Sequence, residues 1–219
     1  MKFAAFETAT EWCSAALWLD GELRSVEARA GHRHGELLLP MLQGLLARAG
    51  IAAADLEAVA FGAGPGAFTG LRIACGAAQG LAFARGLPVC GVSTLEAMAE
   101  ESGAPRVVAC LDARMGEVYY SALEQQGARW REVVPAQCVA PSLAPRPPGG
   151  GWIGVGNGFA AHGAMGFAAV VPEVHPSAAA VARLAAPRLA AGEGVEAALA
   201  APVYLRDRVA LTTEERRNR

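Results

Sequence analysis

The sequence predicts an α/β protein built as two lobes that repeat one plan. Three observations carry that prediction. Strand-length apolar runs alternate with stretches of helical period, and glycine-rich turns stand where strand gives way to helix. A strand–acid–turn–strand phrase that opens the chain also returns near its middle.

Residues 2–6 form a short apolar run ending at Glu7, and the polar turn Thr8–Glu11 separates it from a second run at 13–19. Asp20-Gly21 is a hairpin signal, with a third strand expected at 22–29. Residues 35–49 carry a helical pattern stopped by Gly50. Leu56–Phe61 read as a buried strand entering Gly62-Ala63-Gly64-Pro65-Gly66. A helix is expected at 68–85, a strand at 88–92 and a helix at about 93–101. Residues 1–103 are thus a complete β-β-β-α-β-α-β-α lobe.

The second lobe, 104–219, opens with Arg106–Leu111 closed by Asp112, turns through Ala113–Gly116 and returns along Glu117–Leu123. Gln126-Gly127 closes a hairpin, and the Pro- and Gly-rich stretch 140–151 is a loop. Trp152–Val155 is a strand leading to Gly156-Asn157-Gly158, which reads as a structural turn. Ser177 caps a helix running to about Ala191, and the tail from about Thr212 is expected to be mobile.

Composition excludes several classes of function. The chain has 219 residues, 53% of them apolar and 18% charged, with a net charge of −2. The one basic run is Arg216-Arg217-Asn218-Arg219, so no stripe is present that would grip nucleic acid unaided. Glu7 and Glu11 interrupt any apolar signal segment, and no stretch is long and apolar enough for a membrane span. Cys13, Cys75, Cys90, Cys110 and Cys138 are odd in number and form no CxxC pair. They read as buried reduced thiols, and the expected compartment is the cytoplasm.

Few residues point to chemistry. Gly62–Gly70 follows a strand and opens a helix, so Gly64, Gly66, Thr69 and Gly70 are candidate anion-binding positions. A tight strand-to-helix turn explains the same glycines equally well. The stretch matches neither a Walker loop nor a dinucleotide fingerprint. Glu7 and Asp112 end the first strand of each lobe, where they suit either metal and phosphate chemistry or the capping of a turn. No serine sits in a GxSxG elbow. His32, His34, His162 and His175 have no metal-ligand spacing, and His32 and His34 read as solvated. No catalytic residue and no metal ligand is assigned.

Two helices look built for a partner. Leu37, Leu38, Leu39, Met41, Leu42, Leu45 and Leu46 sweep roughly 200° at 100° per residue, wider than one core face needs. Leu45 is expected at the outward edge of that arc, and Pro40 must lie in the first turn or kink the helix. Between Phe68 and Ala84 the only long polar side chains are Arg72 and Gln79. Gly70, Ala74, Ala77 and Ala84 share a face with Ile73 and Leu81, a pattern that admits a close helix. The expected partner surface is therefore Leu38, Met41, Leu42, Leu45, Gly70, Ile73, Ala74, Ala77 and Leu81.

Taken in order, Ala60–Ile73 (AFGAGPGAFTGLRI), Gly91–Leu95 (GVSTL), Asp112–Tyr119 (DARMGEVY) and Pro202–Arg206 (PVYLR) resemble the TsaB/YeaZ family. The match spans most of the chain, densest over 57–119 and thinnest over 125–200. The resemblance implies an actin/hexokinase-like ATPase (ASKHA) fold and a non-catalytic place in the synthesis of N6-threonylcarbamoyladenosine in tRNA. It implies pairing with a TsaD-like catalytic paralogue through the first-lobe helices, and a homodimer through the same surface when alone. A TsaE-like ATPase is a further implied member, and tRNA is met only through the complex. No tightly bound cofactor is implied, and ATP or ADP is a candidate ligand of the assembled complex. Where TsaD-like paralogues carry a metal-binding HxxxH, this chain has Thr94-Leu95-Glu96-Ala97-Met98 and so lacks both imidazoles. Glu7 replaces the family's usual Asp, and Ala67 its common Ser. The competing readings are a stand-alone ASKHA-type enzyme, kinase-like or metallopeptidase-like, and a nucleotide-binding regulator.

Overall fold

The computed structural model describes residues 1–206. The expected tail from Thr212 and the basic run at 216–219 lie outside the described residues. The first sheet is built from β1 (Lys2–Glu7), β2 (Trp12–Leu19), β3 (Glu22–Arg29), β4 (Ala58–Gly64) and β5 (Val89–Ser93). Helix α1 (His34–Ala49) precedes β4, α2 (Phe68–Phe83) precedes β5, and α3 (Thr94–Ser102) follows it. The second sheet holds β6 (Arg106–Asp112), β7 (Val118–Gln126), β8 (Arg129–Val139), β9 (Ile153–Val155) and β10 (Val170–Val171), with α4 (Asn157–His162) after β9 and α5 (Ala178–Ala190) last.

The two sheets share one topology. The first runs β3-β2-β1-β4-β5 and the second β8-β7-β6-β9-β10. In each, the first three strands are antiparallel neighbours and the last two join in parallel. The repeated phrase recurs down to its hydrogen bonds. Ala9 N donates to Glu7 Oε1 at 2.6 Å, and Arg114 N donates to Asp112 Oδ1 at 2.9 Å. Each acid caps the turn that follows it.

The closing helix of each lobe crosses to the other sheet. Leu95, Met98 and Ala99 of α3 pack with Val107, Ala109 and Leu111 of β6. Ala178, Val181, Leu184 and Ala185 of α5 pack with Phe3, Ala5, Ala16 and Ala60 of the first sheet. The segment beyond α5 also stays on the first lobe, where Ala197 and Ala200 join the core around α2. Assigning all of 104–219 to the second lobe is thereby corrected. The first sheet has two apolar faces and α1 and α2 cover only one, so the other recruits α5.

Helix α1 corrects the wide apolar arc. It lies over β2 and β3 and also touches α2, so two of its faces are covered from within. Leu38, Leu42, Leu45 and Leu46 are buried in the subunit's own core, Leu45 being only 2% exposed. His34 is likewise buried, its Nε2 lying 2.8 Å from the Thr10 carbonyl, rather than solvated. Pro40 stands well past the first turn. Its missing N–H falls on the exposed side, where water can satisfy the Glu36 carbonyl.

Glu7 is the buried acid of the first sheet. It is 1% exposed, Oε1 accepts from Ala9 N, and Oε2 has no partner among the described residues. The carboxyl lies against Gly62, where a Cβ would collide with it. Burial pushes the carboxyl up to about 7, against the pull of the Ala9 and Thr8 amides. Burial first, and the Glu7 charge second, push the neighbouring Cys13 thiol up to about 11.

Two outcomes follow. Leu45→Arg places a charge in the core without a counter-ion, so it unfolds the chain or lowers its stability by about 3 kcal/mol or more. Circular dichroism and urea titration read this directly. A folded Leu45→Arg protein of normal stability would return this side chain to the surface. For Glu7, the folded chain keeps a proton that the unfolded chain releases above its ordinary value of 4.5. Stability from this group is therefore greatest below 4.5, falls as pH rises to about 7, and is level beyond. Glu7→Gln should remove that fall and gain up to about 3 kcal/mol in mildly alkaline buffer. Urea midpoints across pH measure it, and an unchanged slope would assign the effect to another group.

Candidate functional site

Three segments far apart in sequence meet at the end of β1 and β4. The first is the β1–β2 turn, which lies on the glycine-rich loop. Thr8 Oγ1 donates to the Gly70 carbonyl at 2.7 Å, and Ala67 N donates to the Ala9 carbonyl at 2.8 Å. A Cβ at Gly66 would strike Ala9, and one at Gly70 would fall on the Thr8 carbonyl. These two glycines admit the protein's own backbone. The space an anion would take in front of them is filled by Thr8 and Ala9. Of the candidate anion positions, only Thr69 is exposed.

The second segment is Pro202–Arg206. Val203 N donates to the Ala63 carbonyl at 2.7 Å, while the Val203 carbonyl faces Gly64, whose φ is +116°. The Tyr204 ring lies 5.6 Å from that of Phe68, and its hydroxyl accepts from Arg72 Nε at 3.1 Å. The Arg72 guanidinium sits 3.9 Å from the centre of the Phe68 ring. Third comes the turn after β6, which Arg206 reaches through an ion pair with Glu117 and a 3.2 Å bond to the Arg114 carbonyl. Arg114, Met115 and Gly116 all have left-handed φ, at 62°, 57° and 79°. Bonds from Ala113 N to the Glu117 carbonyl and from Glu117 N to the Arg114 carbonyl hold the turn.

Between the lobes runs an open cleft of about 540 Å³ beside Ser14, Glu27, Glu101, His175, Ser177 and Arg183. A smaller pocket of about 230 Å³ adjoins it at Thr10, Glu11, Trp12, Arg29 and Asn157. His175 stands at both, its ring stacked 4.4 Å from Trp12 and its Nε2 3.3 Å from Glu27 Oε2. Glu27, Glu101 and Glu173 stand with Arg183 along the larger cleft, and Glu11 stands with Arg29 in the smaller pocket. Asp112 and His162 lie 3.5 Å apart without forming a hydrogen bond. No group of three or more His, Cys, Asp or Glu is arranged to hold a metal among the described residues. Thr94 and Met98 are fully buried, with Met98 against Gly156 in the second lobe's core.

The expected partner residues divide. Leu38, Leu42, Leu45, Gly70 and Ala74 are buried within the subunit, whereas Met41, Ile73, Ala77 and Leu81 are half-buried at the edge of the first core. Helix α2 turns Gly70, Leu71, Ala74, Cys75, Ala78 and Ala82 inward. Its outward row is Arg72, Gly76, Gly80 and Phe83, and Phe83 is 73% exposed. Nothing lies within 4 Å of where a Cβ would stand at Gly76 or Gly80, nor at Gly44 on the exposed side of α1. The row of small residues read from the sequence, Gly70 and Ala74, turns out to face the subunit's own core, because a helix apolar all round does not reveal which side meets its own sheet. The helix-interior glycines four residues apart, Gly76 and Gly80, are the ones left open.

Comparison with known proteins places this arrangement. Residues 27–212 match the model of the TsaD family, tRNA N6-adenosine threonylcarbamoyltransferase. The tRNA threonylcarbamoyladenosine biosynthesis protein TsaB of Escherichia coli is 37% identical, with 96% of both chains covered. Its counterpart in Haemophilus influenzae is 41% identical over 64% of each. YeaZ from Pseudomonas aeruginosa superimposes with a TM-score of 0.89 at 41% identity, over 93% of this chain and 99% of that one. The two-lobed fold and the ordered motifs agree with these matches: the chain belongs to the TsaB/YeaZ family.

Proposed function

We propose that this chain is a non-catalytic subunit of tRNA N6-threonylcarbamoyladenosine synthesis that pairs with a TsaD-like catalytic subunit through the outer row of α2 and the exposed side of α1. The carrying observation is the open pair Gly76 and Gly80. Each glycine inside a helix costs about 1 kcal/mol relative to alanine. No contact within the chain repays that cost, but a partner helix lying across the row would. Arg72 and the exposed Phe83 flank the row with the side-chain types that anchor interfaces. Met41, Ile73, Ala77 and Leu81 form its margin, and the buried Leu38, Leu42, Leu45, Gly70 and Ala74 support it from beneath.

The same surface serves a homodimer when the subunit is alone. A TsaE-like ATPase and tRNA join the assembled complex, in which ATP or ADP binds. The filled glycine-rich loop and the buried Thr94 and Met98 disfavour a stand-alone kinase or metallopeptidase. No helix among the described residues is long and apolar enough to cross a membrane, which fits work in the cytoplasm.

Gly76→Leu and Gly80→Leu test the pairing. Alone, each should stay folded and gain roughly 0.5–1 kcal/mol from helix propensity. Each should weaken association with the catalytic subunit about a hundredfold or more, and reconstituted tRNA modification should fall with it. Size-exclusion chromatography, calorimetric unfolding and quantification of the modified nucleoside give the three readings. Normal pairing in both variants would remove this face from the interface. The wild-type subunit alone should bind tRNA weakly and turn over no ATP, measured by filter binding and phosphate release. A tight, salt-sensitive complex with tRNA would reverse the division of labour.

A further inference from the structure

Two motifs singled out in the sequence, Asp112–Tyr119 and Pro202–Arg206, lie outside the pairing face and meet it only where Tyr204 bonds to Arg72. They bond to each other. Five consecutive residues reach across both lobes. On the first lobe, Val203 N is fixed to the Ala63 carbonyl, and Tyr204 is held by the Phe68 ring and by Arg72. On the second, Arg206 pairs with Glu117 and donates to the Arg114 carbonyl. The Arg206 side chain is only 14% exposed, so its charge is largely withdrawn from water. It also closes over a turn whose residues 114–116 are all left-handed, a backbone that persists only where its surroundings hold it.

We propose that Pro202–Arg206 is a latch that locks the two lobes at one spacing, with Glu117 as its catch. The lobes are otherwise tied by the crossed helices, through ion pairs from Arg183 to Glu100 and Glu101 and from Arg188 to Glu96, and by His175 against Trp12 and Glu27. Only the latch joins the glycine-rich loop to the turn after β6 among the described residues. These two elements belong to different lobes, so a link between them restrains movement of one lobe relative to the other. The latch fixes them from within the chain, so cleft width does not depend on a ligand. This inference does not require the pairing face, which the latch touches only at Arg72.

Hydrogen–deuterium exchange on the full chain tests it, with circular dichroism confirming that each variant is folded. Arg206→Ala should raise exchange about tenfold over 62–72 and 112–117 together, while α1 and β8 stay unchanged. Glu117→Gln should reproduce this, and the double variant should add little, because both remove one interaction. Tyr204→Phe loses only the bond to Arg72 in the first lobe, yet it should speed exchange at 112–117 in the second. If Arg206→Ala loosens 112–117 alone, or Tyr204→Phe leaves that turn unchanged, the contacts are local and the latch is refuted.

Discussion

The backbone of Thr8 and Ala9 lies against the first turn of α2 with no side chain between them, and much of the molecule's outer face depends on that contact. It requires glycine at 66 and 70, ties the β1–β2 turn to the helix through Thr8 Oγ1, and fixes the direction in which α2 leaves the sheet. With that direction set, Gly70, Ala74, Ala78 and Ala82 fall against the lobe, and Arg72, Gly76 and Gly80 point away. A loop that reads equally as an anion cradle or as a tight strand-to-helix turn thus serves to position a helix. Even one methyl group at Gly70 would have to displace a main-chain carbonyl, which a close-packed interior does not allow cheaply.

The acids at the strand ends show how a duplicated plan is put to uneven use. Glu7 and Asp112 make the same capping bond two residues on, yet one is sealed and the other partly open. The longer Glu7 side chain folds back over Gly62 and gives up its solvation, which pushes its carboxyl up to about 7. Asp112 keeps contact with water and has Arg114 within 3.3 Å.

Much of this was legible in the sequence. The strand and helix order, the Ser177 cap that accepts from Ala180 N, and the recurrence of the opening phrase all rest on short-range patterns that tertiary contacts do not overturn. The facing of the helices was not legible. Leu45 and Gly70 lie on helices with apolar residues on several sides, and hydrophobic period alone cannot say which side meets the protein's own sheet. His34 and the 202–206 segment were also beyond reach, because their partners, Thr10, Ala63, Arg72 and Glu117, are distant in sequence. The chemistry that escaped prediction lies in long-range contacts between polar groups.

The crossing of α5 onto the first sheet bears on how the chain is made. Phe3, Ala5, Ala16 and Ala60 are covered by residues 178–185, so these strands leave the ribosome long before the helix that shields one of their faces. Until then the nascent first lobe carries a bare apolar sheet, the kind of surface that draws chaperones or misassociates. Folding of the halves is accordingly not sequential. The second lobe must form far enough to hand α5 back, and a ribosome stalled before residue 178 leaves a product that cannot complete even its amino-terminal half.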